Sequence, residues 1–443
     1  MRLRTLFFWT HLTAGLLAGV VILVMCVTGV LLTYERQMYA WYDRGFHSEP
    51  AAGAARMSIA DLLARVQAQA PDVTPASVTI TAGADAPVTI AAGQRTLYVD
   101  AYSGHILGET RAQGIRRVMS SVKAWHRWLA AEGDGRPSAR AITGWSNLVF
   151  LFIVASGVYL WMPRVWTWAR LKTITLFNGR LRGKARDFNW HNVIGSWSAV
   201  PLFIVVFSAV PISFPWANAA VYRAMGEPVP AGRGGGEGAR AGGGAEGARG
   251  AEGARGAGRA EGPRGEGPRA EGAGDEGGRR AEAGRGPEGA GREERGGRAA
   301  GESRGSAVDG IDQLFARAQQ QEADWRTIAL RLPTSPRAPL AFAIDRGNGG
   351  QPQLRSTLTL ARDGEVVSYE DFSSQTPARQ ARSIMRFAHT GEVLGLGGQT
   401  VAGLATAGGS VLVYTGIALA FRRLRAWLSR RARATVQDAR SAA

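Results

Sequence analysis

The sequence predicts a membrane α-helical bundle of four transmembrane helices, internally duplicated, with two small α+β domains outside the bilayer. Three observations predict it. Four apolar stretches are each long enough to cross a hydrocarbon core of about 30 Å, two clusters of short alternating segments lie between them, and histidine recurs at matching places beside the spans.

The apolar stretches cover residues 6–33, 141–162, 193–214 and 400–421. The first follows Arg2 and Arg4, as a signal peptide would. It exceeds an h-region of about 7–15 residues and shows no clear small-x-small cleavage site, so it reads as an uncleaved span. In chain order the organisation is a first span (1–34), an outer module (35–114), an interfacial helix with the second span (115–163) and a basic loop (164–190). The second half repeats it with a third span (191–214), an outer linker (215–230), an insert (231–306), a second outer module (307–375), an interfacial helix with the fourth span (376–422), and a basic tail (423–443).

Each outer module carries its own pattern. Ile59, Leu62, Leu63 and Val66 have helical spacing, and strand-like runs follow at 77–81, 88–91 and 96–100, before a Ser103-Gly104 turn. In the second module residues 311–319 read as a helix, and 327–332, 340–345 and 356–360 as strands before an Asp363-Gly364 turn. Between linker and second module, residues 231–306 hold 28 glycines with 14 arginines against 13 acidic residues. Such a composition is nearly neutral and builds no core. It serves as a solvated spacer or as an arm that attracts anions, and its small net charge favours the spacer.

The chain carries a formal net charge of +17. Because the cations flank apolar runs, membrane topology explains them better than nucleic acid does. Residues 164–190 hold seven Lys or Arg and one Asp, and the stretch after Phe421 holds seven Arg and one Asp. Both belong on the cytoplasmic side, which puts the two long segments and the insert outside and both termini inside. The single cysteine, Cys26, lies in an apolar run and reads as a small core residue. One cysteine excludes internal disulfides, an iron–sulfur cluster and covalent C-x-x-C-H haem attachment.

Four of the six histidines follow the duplication. Trp9-Thr10-His11 and Asn189-Trp190-His191 open outward spans, whereas Trp125-His126-Arg127 and Ala388-His389-Thr390 precede inward spans, each followed by a Gly-rich break. A repeat that preserves membrane direction relates its halves by an axis along the membrane normal, so His11 faces His191 near the cytoplasmic side and His126 faces His389 near the outer side. His47 and His105 fall outside the pattern and read as surface residues.

Ionisable groups facing a bundle interior are costly and point to function. Facing imidazoles suit the two axial positions of a haem iron, and Gly15, Gly19 and Gly195 leave room for a flat macrocycle or permit close helix packing. Zinc is less suitable, since each face offers two histidines without a Cys, Asp or Glu at ligand spacing. With both axial positions filled by protein, the group transfers electrons rather than activating oxygen. Arg127, Arg136 and Arg386 are candidate propionate contacts, their alternative being ordinary interfacial charge. The expected cofactors are two non-covalent b-type haems.

The residues resemble the PepSY-associated transmembrane-helix family, which includes FoxB-type siderophore reductases and PiuB-like iron-uptake proteins. The resemblance rests on Trp125-His126-Arg127-Trp128-Leu129, Ser156-Gly157-Val158-Tyr159-Leu160-Trp161-Met162-Pro163-Arg164, Asn189-Trp190-His191-Asn192, Phe214-Pro215-Trp216 and His389-Thr390-Gly391-Glu392. The outer domains resemble PepSY modules, with Leu97-Tyr98-Val99-Asp100-Ala101 the clearest piece. The resemblance implies a di-haem protein of the bacterial inner membrane, an oxidoreductase that passes electrons outward to a ferric siderophore and releases ferrous iron. It makes His11, His126, His191 and His389 the haem ligands. The long biased insert departs from the family pattern.

Two other functions compete: a non-redox PepSY-type regulatory or binding protein for an outer partner, and a transporter. A transporter leads one to expect broken spans with polar midplane residues, whereas these spans offer only Ser, Thr and Gly there. No Gly-x-Gly-x-x-Gly follows a strand, so the electron donor is a separate protein or a membrane quinol.

Overall fold

The computed structural model describes residues 3–50, 53–230, 310–333 and 335–441, so the expected insert at 231–306 lies outside the described residues. Among the described residues four helices are long and apolar enough to cross a membrane. They are α1 (Leu3–Leu32), α5 (Gly135–Trp161), α7 (Gly183–Ser213) and the helix Gly395–Ser441, labelled α11 below. The spans pack in the ring α1–α5–α7–α11, which leaves α1 and α7 diagonally opposed. Ala18, Ile22, Cys26, Phe150, Val154, Leu202, Val206 and Ala405 fill the bundle centre, so Cys26 is a core residue.

Between α1 and α5 the chain forms α2 (Glu35–Asp43), α3 (Ile59–Gln69), strands β1 (Ser77–Thr81), β2 (Val88–Ala92), β3 (Arg95–Val99) and β4 (Ile106–Glu109), and the amphipathic α4 (Gln113–Trp128). Helix α6 (Trp168–Thr175) lies in the basic loop, and α8 (Pro215–Ala224) occupies the stretch expected to be a linker. There follow α9 (Ile311–Gln321), β5 (Thr327–Arg331), β6 (Leu340–Asp345), β7 (Arg355–Leu360), β8 (Val366–Glu370) and α10 (Pro377–His389), which leads through a 3₁₀ turn into α11. The order helix, four strands, amphipathic helix, span thus occurs twice.

The expected separation into two outer modules does not appear. The eight strands of the described residues form one antiparallel sheet in the order β4-β3-β2-β1-β5-β6-β7-β8. The joint is β1 against β5, with Ser77 opposite Arg331, Thr79 opposite Ala329 and Thr81 opposite Thr327. This pairing consumes an edge that each four-stranded unit would otherwise leave open. One apolar core serves both halves. Ile59, Leu62, Leu63 and Val66 of α3, with Ile311, Leu314 and Ala318 of α9, cover a face built from Ile90, Leu97, Leu330, Phe342, Ile344 and Leu358.

The two helices also lock across the joint, since Asp312 of α9 accepts from Ile59 N at 2.5 Å and Ala60 N at 3.4 Å, two otherwise orphaned donors in the first turn of α3. Asp312→Ala is expected to cost about 1 kcal/mol, a typical capping value, and to lower the thermal midpoint of the sheet without changing the spans. Matched melts of wild type and variant check this.

Two polar junctions fix the sheet over one end of the bundle, here called the sheet end, the opposite end being the terminal end. Buried Asp43 accepts from Tyr98 Oη at 2.9 Å, Thr110 Oγ1 at 2.7 Å and Arg111 N at 2.7 Å, tying α2 to β3 and to the approach to α4. Glu392 pairs with Arg36 at 3.2 Å and packs against Gly350, so the β6–β7 loop seats on the turn that precedes α11. In that turn Gly391 has φ +76°, and a Cβ there would collide with the Gly398 carbonyl, so glycine is required twice over.

Candidate haem-type histidine site

The four patterned histidines lie in two pairs, one at each end of the bundle. His126 on α4 and His389 on α10 come from opposite halves, with ring centres 6.2 Å apart and planes inclined by 50°. His11 on α1 and His191 on α7 sit on the diagonal helices at the terminal end. His47 and His105 are exposed and belong to neither pair.

The local sequence gives the four rings nearly the same surroundings. Nδ1 of His11 meets Ser156 Oγ at 2.9 Å, Nδ1 of His126 meets Thr28 Oγ1 at 3.0 Å, and Nδ1 of His191 meets Thr415 Oγ1 at 2.9 Å. Each hydroxyl already donates to its own helix: Ser156 to Ile153 O at 3.2 Å, Thr28 to Val24 O at 2.6 Å, and Thr415 to Val411 O at 2.8 Å. A hydroxyl whose proton is engaged offers the imidazole only lone pairs, so Nδ1 must be the donor. His389 makes the same commitment directly, donating from Nδ1 to Val205 O at 2.9 Å. All four rings therefore carry hydrogen on Nδ1 and leave the Nε2 lone pair for a ligand bond.

A small residue follows each hydroxyl. Gly157 lies beside His11, Gly29 beside His126 and Gly416 beside His191, and an added Cβ would sit 3.4, 3.4 and 3.5 Å from the respective Cε1. In α7 the corresponding dipeptide is Ser208-Ala209, with Ser208 Oγ donating to the same Val205 carbonyl that takes His389. The roles of Thr28, Ser156 and Thr415 were not anticipated from the sequence. The recurrence of Thr28-Gly29, Ser156-Gly157 and Thr415-Gly416 could have revealed them. Of the glycines expected to make room, Gly15 faces open space, whereas Gly19 and Gly195 pack against Val413, Ile417 and Leu412 of α11.

Adjoining elements hold the histidine-bearing helices. Glu227, just beyond α8, accepts from Ala378 N at 2.8 Å and Thr376 Oγ1 at 2.6 Å, anchoring the start of α10. At the terminal end, buried Asp187, one turn before His191, takes Arg186 at 2.8 Å and Arg422 at 3.0 Å, tying α7 to α11. Arg423 rests on the rings of Phe8 and Trp9, at 4.9 and 4.8 Å, close to His11.

Positive charge gathers at the sheet-end pair. Burial, with the like charges of Arg140 and Arg386, holds the Arg127 guanidinium below its ordinary range. Among the described residues none of these three arginines is in an ion pair. Arg140 was not anticipated, because it stands well along the sequence from either histidine. Arg136, a sequence candidate, shares the Trp128 ring with Arg127, their guanidinium carbons lying 4.8 and 4.7 Å from its centre.

These donors fit a haem iron. Two imidazole nitrogens on opposite sides of one metal, each bonded at about 2.0–2.1 Å, set ring centres about 6 Å apart, matching the His126–His389 separation. Among the described residues no group of three or more His, Cys, Asp or Glu is placed to hold an ion. Each pair thus falls short of the three or four protein ligands of zinc sites, whereas haem iron brings four nitrogens of its own and takes two axial ligands.

The family model described as the PepSY-associated TM region matches residues 8–423, both halves of the chain. No curated protein matches the sequence.

Proposed function

The chain belongs to the PepSY-associated TM family of membrane proteins, and on that premise we propose that it is a di-haem conduit carrying electrons from a separate donor to an acceptor on the sheet side. The observation that carries this reading is the His126/His389 pair, two rings from opposite halves held 6.2 Å apart. His126 and His389 would hold the iron of one haem, and the group would supply one-electron transfer rather than oxygen activation. His11 and His191 would hold the second group.

The chain's own task is preorganisation. Thr28, Ser156, Thr415 and the Val205 carbonyl fix the proton on Nδ1 and aim Nε2. Arg127, Arg140 and Arg386 supply charge suited to carboxylate groups such as propionates. Without a C-x-x-C-H sequence, such groups are held non-covalently. We read the two halves as one duplicated unit with paired PepSY-like modules. Ile59, Leu62, Ala64 and Arg65 of α3 take the same order and spacing as Ile311, Leu314, Ala316 and Arg317 of α9.

The basic flanks at 164–190 and after Phe421 support a reading in which the terminal end faces the cytoplasm and the sheet lies outside a bacterial inner membrane. The acceptor we assign is a ferric siderophore, one electron reducing iron(III) to iron(II), which hard oxygen ligands bind less tightly. The assignment of the siderophore rests on the family resemblance alone.

Protein reconstituted in liposomes and reduced is expected to be reoxidised by external ferric siderophore, with iron(II) trapped by a chelator. Rapid reoxidation by quinone but by no ferric siderophore would leave the conduit and remove the acceptor. Fewer than about one haem per folded chain, after expression with haem supplied, would remove the conduit itself.

A further inference from the structure

At the terminal end, Arg4, Pro163, Arg164 and Arg170 line a shallow, open surface groove of about 300 Å3. Three arginines thus line one groove, and among the described residues none of them is in an ion pair. The Arg4 guanidinium donates to Leu160 O at 2.5 Å and Met162 O at 3.1 Å. It thereby satisfies carbonyls at the end of α5 and is held in place. Arg170 is set by α6, whose N-cap Thr167 accepts from its backbone N–H at 3.4 Å.

The surroundings of the groove are apolar and exposed. Val165, Trp166 and Trp168 are 53%, 62% and 74% exposed, and Leu3 beside Arg4 is 60% exposed. They lie where the spans α1 and α5 end, at the depth where tryptophan collects in membrane proteins. Three arginines lining one groove without an ion-pair partner call for an anion, and guanidiniums match phosphate oxygens in geometry as well as charge. A free phosphate gains nothing from the exposed Trp166, Trp168 and Leu3, whereas a lipid brings acyl chains to cover them.

We propose that this groove binds the phosphate headgroup of an anionic phospholipid, seated between Arg4, Arg164 and Arg170 with its chains along the exposed apolar side chains. The site lies apart from the histidine pairs and does not depend on the electron-transfer reading.

The test titrates delipidated full-length protein with phosphatidylglycerol, phosphatidylcholine or inorganic phosphate and counts bound molecules by native mass spectrometry. Wild type is expected to retain one phosphatidylglycerol in preference to phosphatidylcholine. At about fivefold per interfacial arginine, Arg164→Gln should weaken retention about fivefold, and Arg164→Gln with Arg170→Gln about thirtyfold. Arg4 stays intact because it also caps α5. The double variant Arg180→Gln with Arg182→Gln removes the same charge elsewhere in the basic loop and should retain lipid as wild type does. Equal retention of both lipids, or equal losses in the two double variants, overturns the proposal. Displacement of the lipid by millimolar phosphate also overturns it, in favour of a free-anion site.

Discussion

His126→Ala is expected to halve the haem content, from two per chain to one, and His389→Ala is expected to remove the same haem. The double variant should do no worse than either single one if, as proposed, the two rings, 6.2 Å apart between centres, hold one group. His11→Ala and His191→Ala should remove the other haem. Pigment extraction with haem quantification per folded chain reads the stoichiometry, and low-temperature spectra of each variant identify which haem remains. If His11→Ala and His126→Ala emptied one shared site while sparing a second, the pairing across the halves would be wrong even with the cofactor right. Loss of a single hydrogen bond, such as His126 to Thr28, costs only about 0.5–1.5 kcal/mol. A well-folded, half-loaded protein is therefore the expected product.

This partition follows from how the sheet and bundle are joined. His126 and His389 sit on α4 and α10, which lie outside the four spans and depend on other elements for their position. Asp43 fixes the chain entering α4, Glu227 anchors the start of α10, and Glu392, paired with Arg36 of α2 and packed against Gly350, seats the β6–β7 loop on the turn after His389. The eight-stranded sheet thereby links the two halves at the end of the bundle that carries this pair. His11 and His191 instead ride on spans, with Asp187 and Arg422 tying α7 to α11.

Much of this was legible in the sequence because apolar length and strand alternation are local signals. Span centres are read correctly from residues such as Ile22, Val154 and Leu202, all buried in the bundle core. Span ends are not, because helix continues where hydropathy stops. α7 begins at Gly183, through a polar stretch carrying Asp187 and Asn189, and α11 runs on past Phe421. β4 and β8 escape notice for lack of alternation: β4 is half-buried throughout and contains Gly108 at φ +147°, while β8 is a mostly exposed edge strand. The β1–β5 joint depends on a register between strands on opposite sides of residues 231–306, and no local pattern encodes it. Of the site, the histidines are legible because Trp9-Thr10-His11 parallels Asn189-Trp190-His191. The Val205 carbonyl is invisible, since a backbone acceptor leaves no mark on residue type.

Gly157→Leu is expected to weaken haem binding at the His11/His191 site by roughly 5- to 150-fold while the other haem stays bound. A Cβ at 157 would lie 3.4 Å from His11 Cε1, so alanine requires the ring to give by a few tenths of an ångström. Leucine adds three more carbons on the side of the helix where the imidazole rests. Overpacking of this kind costs about 1–3 kcal/mol, roughly 5- to 150-fold in haem affinity, and displacing the ring also breaks its hydrogen bond to Ser156. Gly157→Ala should keep the haem with an altered spectrum. Gly195→Ala should be neutral, because its Cβ would meet Leu412 at an ordinary 3.7 Å. The order Gly195→Ala, Gly157→Ala, Gly157→Leu, read as haem retained per chain together with the midpoint potential of the remaining haem, distinguishes a tuned imidazole seat from mere helix packing. If small residues served packing alone, Gly195→Ala and Gly157→Ala would behave alike, and neither would move a potential.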